Sequence, residues 1–383
     1  MSYFDYNATT PLLPEARAVW LEAAERHWHN PSSLYRSANR AHAFLENCRE
    51  RIAEQLQCAP ESIVFNSGAT EGNYSLLAYF QQLLPVGQKV ALSAIEHPSV
   101  KESATALFGS NCILLPIDGS GVLQVDTAEA LLKKQSPGLV SLIAANNETG
   151  ILQPWQAMLP ICRNLDIPLH VDAAQWLGKE SPSALGQADF VTGCAHKFGG
   201  PKGVGFLKIN AQHLNYRAAL GGHQESGHRA GTEDLCGISA MTTALETVDW
   251  ASERERLGKC RTAFEHLLRK SIEGVRIVGG DTERLANTSL VIFPRHDHKR
   301  WVLQLDKRGF QVSTGSACSS GVDGPSHVLT AMGIPAECAL RAVRVSGGLN
   351  THEDDWIALA HAMIELWEYF EHEDSESATV VEI

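Results

Sequence analysis

No apolar run in the 383 residues approaches the length of about eighteen that a bilayer span requires. The N-terminus, Met1-Ser2-Tyr3-Phe4-Asp5, has no basic region leading into an apolar core. Neither a membrane association nor a secretory leader is expected, and the chain reads as cytoplasmic. Positive charge is also short. With 32 Lys and Arg against 44 Asp and Glu, the net charge is −12 and the basic residues are scattered, so a sequence-independent grip on nucleic-acid phosphates has little electrostatic support. No direct nucleic-acid partner is expected. The nine cysteines are odd in number and contain no Cys-x-x-Cys pair, which fits neither a disulfide framework nor a zinc site. No internal repeat stands out. What remains is an ordinary globular composition, 44% hydrophobic and 20% charged, long enough for two domains.

Short apolar runs alternate with helical stretches: Ile63-Val64-Phe65, Lys89-Val90-Ala91-Leu92, Leu139 to Ile143, Pro168 to Val171, Phe190-Val191-Thr192 and Val204 to Leu207. That pattern implies a mainly parallel sheet covered on both faces, an α/β fold. Several runs end in polar residues, namely Ser67, Glu96-His97, Asn146-Asn147-Glu148, Asp172 and His196-Lys197. Ligands of open α/β sheets sit at the carboxyl ends of the strands, so these tips are expected to converge on one site. Near residue 250 the pattern changes to a charged helical segment, Ser252 to Lys270, followed by strand candidates at Thr288 to Phe293 and Ala342 to Ser346. A large domain over 12–250 is expected, with a smaller α+β domain built from 1–11 and 251–383. The tail after Glu371 is polar and acidic enough to be disordered.

Lys197 lies in Cys194-Ala195-His196-Lys197-Phe198-Gly199-Gly200-Pro201, with Asp172 and Gln175 upstream at the end of an apolar run. A lysine preceded by such a carboxylate is how a protein holds pyridoxal phosphate (PLP) as a Schiff base, the Asp meeting the pyridinium nitrogen. Asp172 could equally cap a helix beginning near Ala173. Ser67-Gly68-Ala69-Thr70-Glu71 follows a strand and opens a helix, where free N–H groups and the helix dipole favour a phosphate, although a plain turn uses the same residues. His97 could stack on the cofactor and relay protons, or serve only structure. Asn147 could be a turn residue or bind a cofactor oxygen or a substrate carboxylate. Gln175 could donate to the phenolic oxygen of the ring. Cys318 sits among small residues, Ser313-Thr314-Gly315-Ser316-Ala317-Cys318-Ser319-Ser320-Gly321, in a segment of about 310–325 that could swing a thiol towards the cofactor.

Taken together, these motifs resemble a cysteine desulfurase of the NifS/IscS type, in the class V aminotransferase group of fold-type I PLP enzymes. The resemblance also rests on Asp5-Tyr6-Asn7-Ala8-Thr9-Thr10-Pro11, Asn30-Pro31-Ser32-Ser33, Asn147-Glu148-Thr149-Gly150, Arg229-Ala230-Gly231-Thr232, Ser326-His327-Val328-Leu329 and Arg344-Val345-Ser346, so it runs over most of the chain. It implies the aspartate aminotransferase-like fold, with Lys197 as the Schiff-base lysine, Asp172 and Gln175 on the ring and His97 stacked above it. It further implies that Ala69, Thr70, His196 and, from a neighbouring subunit, Thr232 hold the phosphate. Asn147 and Arg344 would bind the substrate carboxylate, a task that suits the planar fork of arginine. A site completed across subunits implies a homodimer.

The implied reaction removes sulfur from L-cysteine to give L-alanine and a persulfide on Cys318, which is passed to a sulfur-acceptor protein for iron–sulfur cluster assembly or for thiolation of a nucleic acid or cofactor. Only a thiolate is a competent nucleophile, so an acceptor for the Cys318 proton, such as His97, is expected. A selenocysteine or cystine lyase, or a class V aminotransferase, would share much of the site without needing Cys318; a non-enzymatic scaffold would need none of it. Four features depart from the family pattern. Cys194 stands where a phosphate-contacting serine is usual, Tyr35 replaces a histidine and Ala38 a glycine, and His223 and His228 lie in a normally apolar, glycine-rich stretch. The end, Ala378 to Ile383, differs from the segment by which housekeeping members bind their scaffold protein.

Overall fold

The central strands carry apolar residues on both faces, and each face is buried in its own core. The computed structural model describes residues 1–213, 215–315 and 324–380, the side chains of 374–380 excepted. Seven strands form one sheet in the order Ile63–Asn66, Gly205–Lys208, Phe190–Cys194, Leu169–Asp172, Val140–Ile143, Val90–Ser93, Cys112–Leu115. Ile63, Phe65, Ala91, Val191 and Phe206 face one core, while their neighbours Val64, Val90, Leu92, Phe190 and Leu207 face another on the opposite side. Burial on both sides is why these strands read as continuous apolar runs rather than as alternating ones. Gly205–Lys208 alone runs antiparallel to its neighbours; the remaining pairs are parallel. The edge strand Cys112–Leu115 was not anticipated; it is as long as most of its sheet partners but only partly buried.

A second sheet, fully antiparallel, has the order Ser313–Thr314, Ala342–Ser346, Thr288–Ile292, Arg276–Ile277. Its core gathers Phe4, Phe264, Phe293, Trp301, Val343, Val345, Trp356 and Phe370. The charged stretch folds as the helix Trp250–Ser271 and packs against the C-terminal helix Glu353–Val380. The N-terminus joins this unit, since Ser2–Tyr3 pairs in parallel with Phe310–Gln311. A further apolar cluster locks the two sheets together, with Ile95, Ile143 and Ile151 meeting Leu290, Ile292, Val328 and Leu329.

The tail departs from expectation. Instead of losing structure after Glu371, the backbone stays helical to Val380. The carboxylates of the last described turns have cationic partners that composition alone does not reveal: Arg295 meets Glu371 at 3.2 Å and Arg300 meets Glu373 at 2.5 Å. Among the described residues no helix is long and apolar enough to cross a membrane, and no group of three or more His, Cys, Asp or Glu is placed to hold a metal ion.

Candidate active site

Parallel strands put their carboxyl ends on one edge of the sheet, and there the chain opens a cleft of about 540 Å³. Ala69, Thr70, His97, Asn147, Asp172, Gln175, Cys194, His196, Lys197 and Arg344 all line it, in the size range usual for small-molecule sites. Thr232 does not. It lies exposed, beside a neighbouring hollow shared with Ser67, Gly203 and Arg229. Cys318 lies outside the described residues.

At one end of the cleft the strand Ile63–Asn66 turns into the helix Ala69–Leu83. Gly68 makes the turn at φ +138°, a conformation that L side chains rarely adopt. The backbones are also pressed together, since a Cβ on Gly205 would lie 2.7 Å from the Gly68 Cα. The first helical turn, whose N–H groups lack intrahelical acceptors, borders the cleft. Glu71, which also lines the cleft, accepts from the Ser67 N–H at 2.9 Å and from Arg229 at 3.0 Å. The Cys194 thiol, beside the Ala69 N–H, is pushed up to about 11 by burial. Next to it His196 pairs through Nδ1 with Thr9 Oγ1 at 3.2 Å; burial, helped by Lys197 and Lys202, brings its pKa down to about 4.

Asp172 ends the strand Leu169–Asp172 and is 2% exposed. One carboxylate oxygen accepts from the Ala174 N–H at 3.0 Å and the other from Asn73 Nδ2 at 2.9 Å. Beyond Asp172 the chain makes a series of turns rather than the helix expected near Ala173, so this carboxylate caps a turn. The Asn73 amide also donates to Ser99 Oγ at 2.9 Å, and Ser99 in turn meets His97 Nδ1 at 2.8 Å through its hydroxyl and 3.1 Å through its N–H. His97 Nδ1 is thereby an acceptor, which leaves the proton of the neutral ring on Nε2. Burial lowers the His97 pKa against the pull of Asp172, so the ring is neutral at neutral pH. Glu96 accepts from the Ile143 N–H at 2.7 Å; burial first, and Asp172 second, push its carboxyl well up.

The N-terminal segment forms the other wall. Asn7 is 1% exposed, and its carbonyl takes Gln175 Nε2 at 2.8 Å and Lys197 Nζ at 2.6 Å. Lys197 also donates to the Ala8 carbonyl at 2.8 Å. Arg344, 1% exposed, donates to the Asn147 carbonyl at 2.9 Å and to Asp5 Oδ1 at 2.6 Å, while its buried Nε has no protein acceptor among the described residues. On the flank of the segment that carries Cys318, Ser326 caps the helix His327–Ala331 and donates to Glu148 Oε2 at 2.5 Å. Burial pushes the Glu148 carboxyl up to about 7, against the opposing effects of Ser326 and Arg344.

Sequence reasoning gave no role to Asn73, Ser99 and Asn7, although the first two tie Asp172 to His97 and the third ties Gln175 to Lys197. An asparagine on the buried face of the helix after Ser67-Gly68 was the available signal for Asn73.

A basic side chain at a strand tip, a buried carboxylate holding two donors and a helix N-terminus bordering the same cleft suit an α/β enzyme that handles a phosphorylated small molecule. Residues 2–359 match the class-V aminotransferase family, and the chain belongs to that family. Within it the protein is a cysteine desulfurase of the NifS/IscS type, a PLP-dependent enzyme. It is 36% identical over 360 residues to "Cysteine desulfurase IscS" of Dictyoglomus turgidum, with 92% of this chain and 91% of that one aligned. A solved NifS-like protein superposes with a TM-score of 0.88 at 29% identity, covering 96% of this chain and 99% of the other. The structure of SspA in complex with cysteine superposes with a TM-score of 0.78 at 29% identity, covering 90% and 98%.

Proposed function

We propose that the cleft binds PLP and L-cysteine, that the sulfur leaves as a persulfide on Cys318, and that a sulfur-acceptor protein then collects it. The convergence of ten sequence-selected residues on one cleft carries this reading. The donor set suits the cofactor: a buried carboxylate for a pyridinium, a lysine at hydrogen-bond distance from two carbonyls, and a glycine turn opening a helix N-terminus to a phosphate. Bound there, PLP supplies an electron sink for the carbanion at the substrate's Cα.

The remaining steps belong to side chains. Lys197 would hold the cofactor, and its amine would take the substrate's Cα proton. Asp172, oriented by its two donors, would pair with the pyridinium nitrogen. Arg344 receives the substrate carboxylate, which competes with Asp5 for the guanidinium, and the Asn147 amide assists. The Cys318 thiolate attacks the substrate sulfur, the carbon–sulfur bond breaks, and the protonated carbon skeleton leaves as L-alanine. With Nδ1 occupied by Ser99, neutral His97 carries its proton on Nε2, which suits proton delivery to substrate better than the thiol deprotonation suggested by the sequence.

We further propose a cytoplasmic homodimer in which Thr232 completes the phosphate site of the partner, with Trp28, Leu34 and Leu220, all strongly exposed on the single chain, supplying apolar contact area. The division into a large domain at 12–250 and a small one from 1–11 and 251–383 belongs to the same reading.

The test is to give purified protein L-cysteine and a reductant and to measure alanine and sulfide for wild type and Cys318→Ala. Equal yields, both lost in the variant, are expected. Pyruvate in place of alanine, or turnover that survives the substitution, would move the assignment to a lyase.

A further inference from the structure

Lys179 lies four residues beyond Gln175 and has no part in the reaction as described. Its Nζ donates to Gln175 Oε1 and, at 3.2 Å, to Asn7 Oδ1. Asn7 itself is fully committed. Its Oδ1 also accepts from Asn287 at 3.3 Å, its Nδ2 donates to Thr288 Oγ1 at 2.9 Å and to the Asn147 carbonyl at 3.2 Å, and its carbonyl takes both Gln175 Nε2 and Lys197 Nζ. Two lysines thus meet on one immobilised asparagine, Lys179 on the side chain and Lys197 on the main chain.

An amide has one accepting and one donating end, and a lysine amine engaged as a donor can face only the accepting end. Lys179, together with the Asn7 carbonyl that accepts from Nε2, therefore fixes which way Gln175 is flipped. Oε1 points at Lys179, and Nε2, after giving one hydrogen to Asn7, has its second available to the cleft that Gln175 lines. Burial, followed by the charges of Lys197 and Arg344, pushes the Lys179 pKa well below the ordinary lysine value, with Cys194 acting weakly in the opposite sense. Lys197 and Lys179 are close enough to repel one another when both are protonated.

We propose that Lys179 is a positioning residue that locks the Gln175 amide with its N–H end towards the cleft and sets a second basic group beside Lys197. The inference rests on the reading that the cleft holds PLP with Gln175 at the phenolic oxygen. Two consequences share one sign. A donor on the phenolic oxygen makes that oxygen less basic, and any positive charge that Lys179 carries disfavours a proton on the link between Lys197 and the cofactor. Removing Lys179 therefore makes that link easier to protonate. Room for the substitution exists, because Lys179 and Lys197 both border a second, apolar cavity of about 200 Å³ walled by Leu13, Phe198, Val248 and Leu257.

The test is a pH titration of the visible absorbance band of holoenzyme for wild type, Lys179→Met and Lys179→Arg, with thermal unfolding of each alongside. In Lys179→Met the spectral midpoint is expected to rise by about half a pH unit or more, while the unfolding midpoint moves by no more than about 4 °C. Lys179→Arg, which keeps a donor at this position, is expected to return the midpoint towards wild type. An unchanged midpoint in Lys179→Met, with the band present in both proteins, would overturn the role of Lys179 and leave the cofactor reading standing. If Lys179→Met does not fold, a midpoint in Lys179→Arg displaced as far as half a unit overturns it as well. A wild-type protein that shows no band after incubation with PLP would instead sink the cofactor reading, and this inference with it.

Discussion

Asn73, on the inner face of the helix Ala69–Leu83, donates to Asp172 at 2.9 Å and uses its other amide hydrogen on Ser99, the residue that fixes His97. The helix whose first turn borders the cleft thus also orients the Asp172 carboxylate, from one turn further on. Without that amide, Asp172 would keep a single backbone donor in a buried position. A hydrogen bond to a charged group is worth about 1.5–3 kcal/mol, so Asn73→Ala is expected to weaken PLP binding and kcat/KM by roughly tenfold to a hundredfold. Titration of apoenzyme with PLP, followed by steady-state kinetics on the saturated protein, checks both. Wild-type values in the variant would mean that Ala174 alone orients Asp172.

Under the proposed placement of the PLP phosphate, a hydroxyl at the position of Cys194 would serve it better than a thiol. Its thiol is buried, pushed up to about 11, and hence neutral at neutral pH, so it neither repels an anion nor donates strongly to one. Cys194→Ser exchanges the sulfur for a stronger donor of smaller radius. The expected outcome is tighter PLP binding by about 0.5–1.5 kcal/mol, a few-fold to roughly tenfold in Kd, read by the same apoenzyme titration. Weaker binding in the serine variant would show that sulfur packing at this site outweighs the donor.

The polar tips Ser67, His97, Asn147, Asp172 and Lys197 were legible because each comes after an apolar run, and the register of parallel strands then requires them to meet. Asn7 was not legible in the same way. It comes from a segment 168 residues before Gln175 and 190 before Lys197, and its immediate sequence has the look of an ordinary turn. Its importance arises from three elements converging on one amide, which no local pattern encodes. The edge strand Cys112–Leu115 was missed for lack of burial. The helical tail was misjudged because its carboxylates are paired with Arg295 and Arg300, some seventy residues earlier in the chain.

A second long-range pair was equally hidden, and it has a stability consequence. Arg49 and Glu225, 176 residues apart, form a buried bidentate pair at 2.7 and 2.8 Å, and Glu225 also accepts from the Phe65 N–H at 2.7 Å. Glu225 and Ser226 both sit at positive φ, 50° and 55°, so the pair holds a backbone that two non-glycine residues otherwise disfavour. Removing one partner leaves a buried charge uncompensated. Arg49→Met is expected to lower stability by about 3–5 kcal/mol, measured by denaturant unfolding. A loss below about 1 kcal/mol, the value of an exposed pair, would mean that water reaches Glu225.

Glu148 connects the sheet tip at Asn147 with Ser326, so its titration is felt where the two units meet. Burial raises its carboxyl from 4.5 to about 7. The native group therefore keeps its proton over a range in which the unfolded chain has already lost it, and in that window the native state binds more protons. Stability contributed by Glu148 is full below the unfolded value and falls as pH rises through the window, ending near the native value. The change is on the order of 3 kcal/mol. Glu148→Gln keeps an acceptor for the Ser326 hydroxyl and removes the titration. Glu96 and Glu180, whose carboxyls are also raised by burial, remain in both proteins and cancel in the comparison. Between about pH 5 and about pH 8 the wild type is expected to lose more stability than Glu148→Gln. Unfolding free energies measured for both across that range decide the matter, and parallel curves would mean that Glu148 is ionised in the native protein throughout.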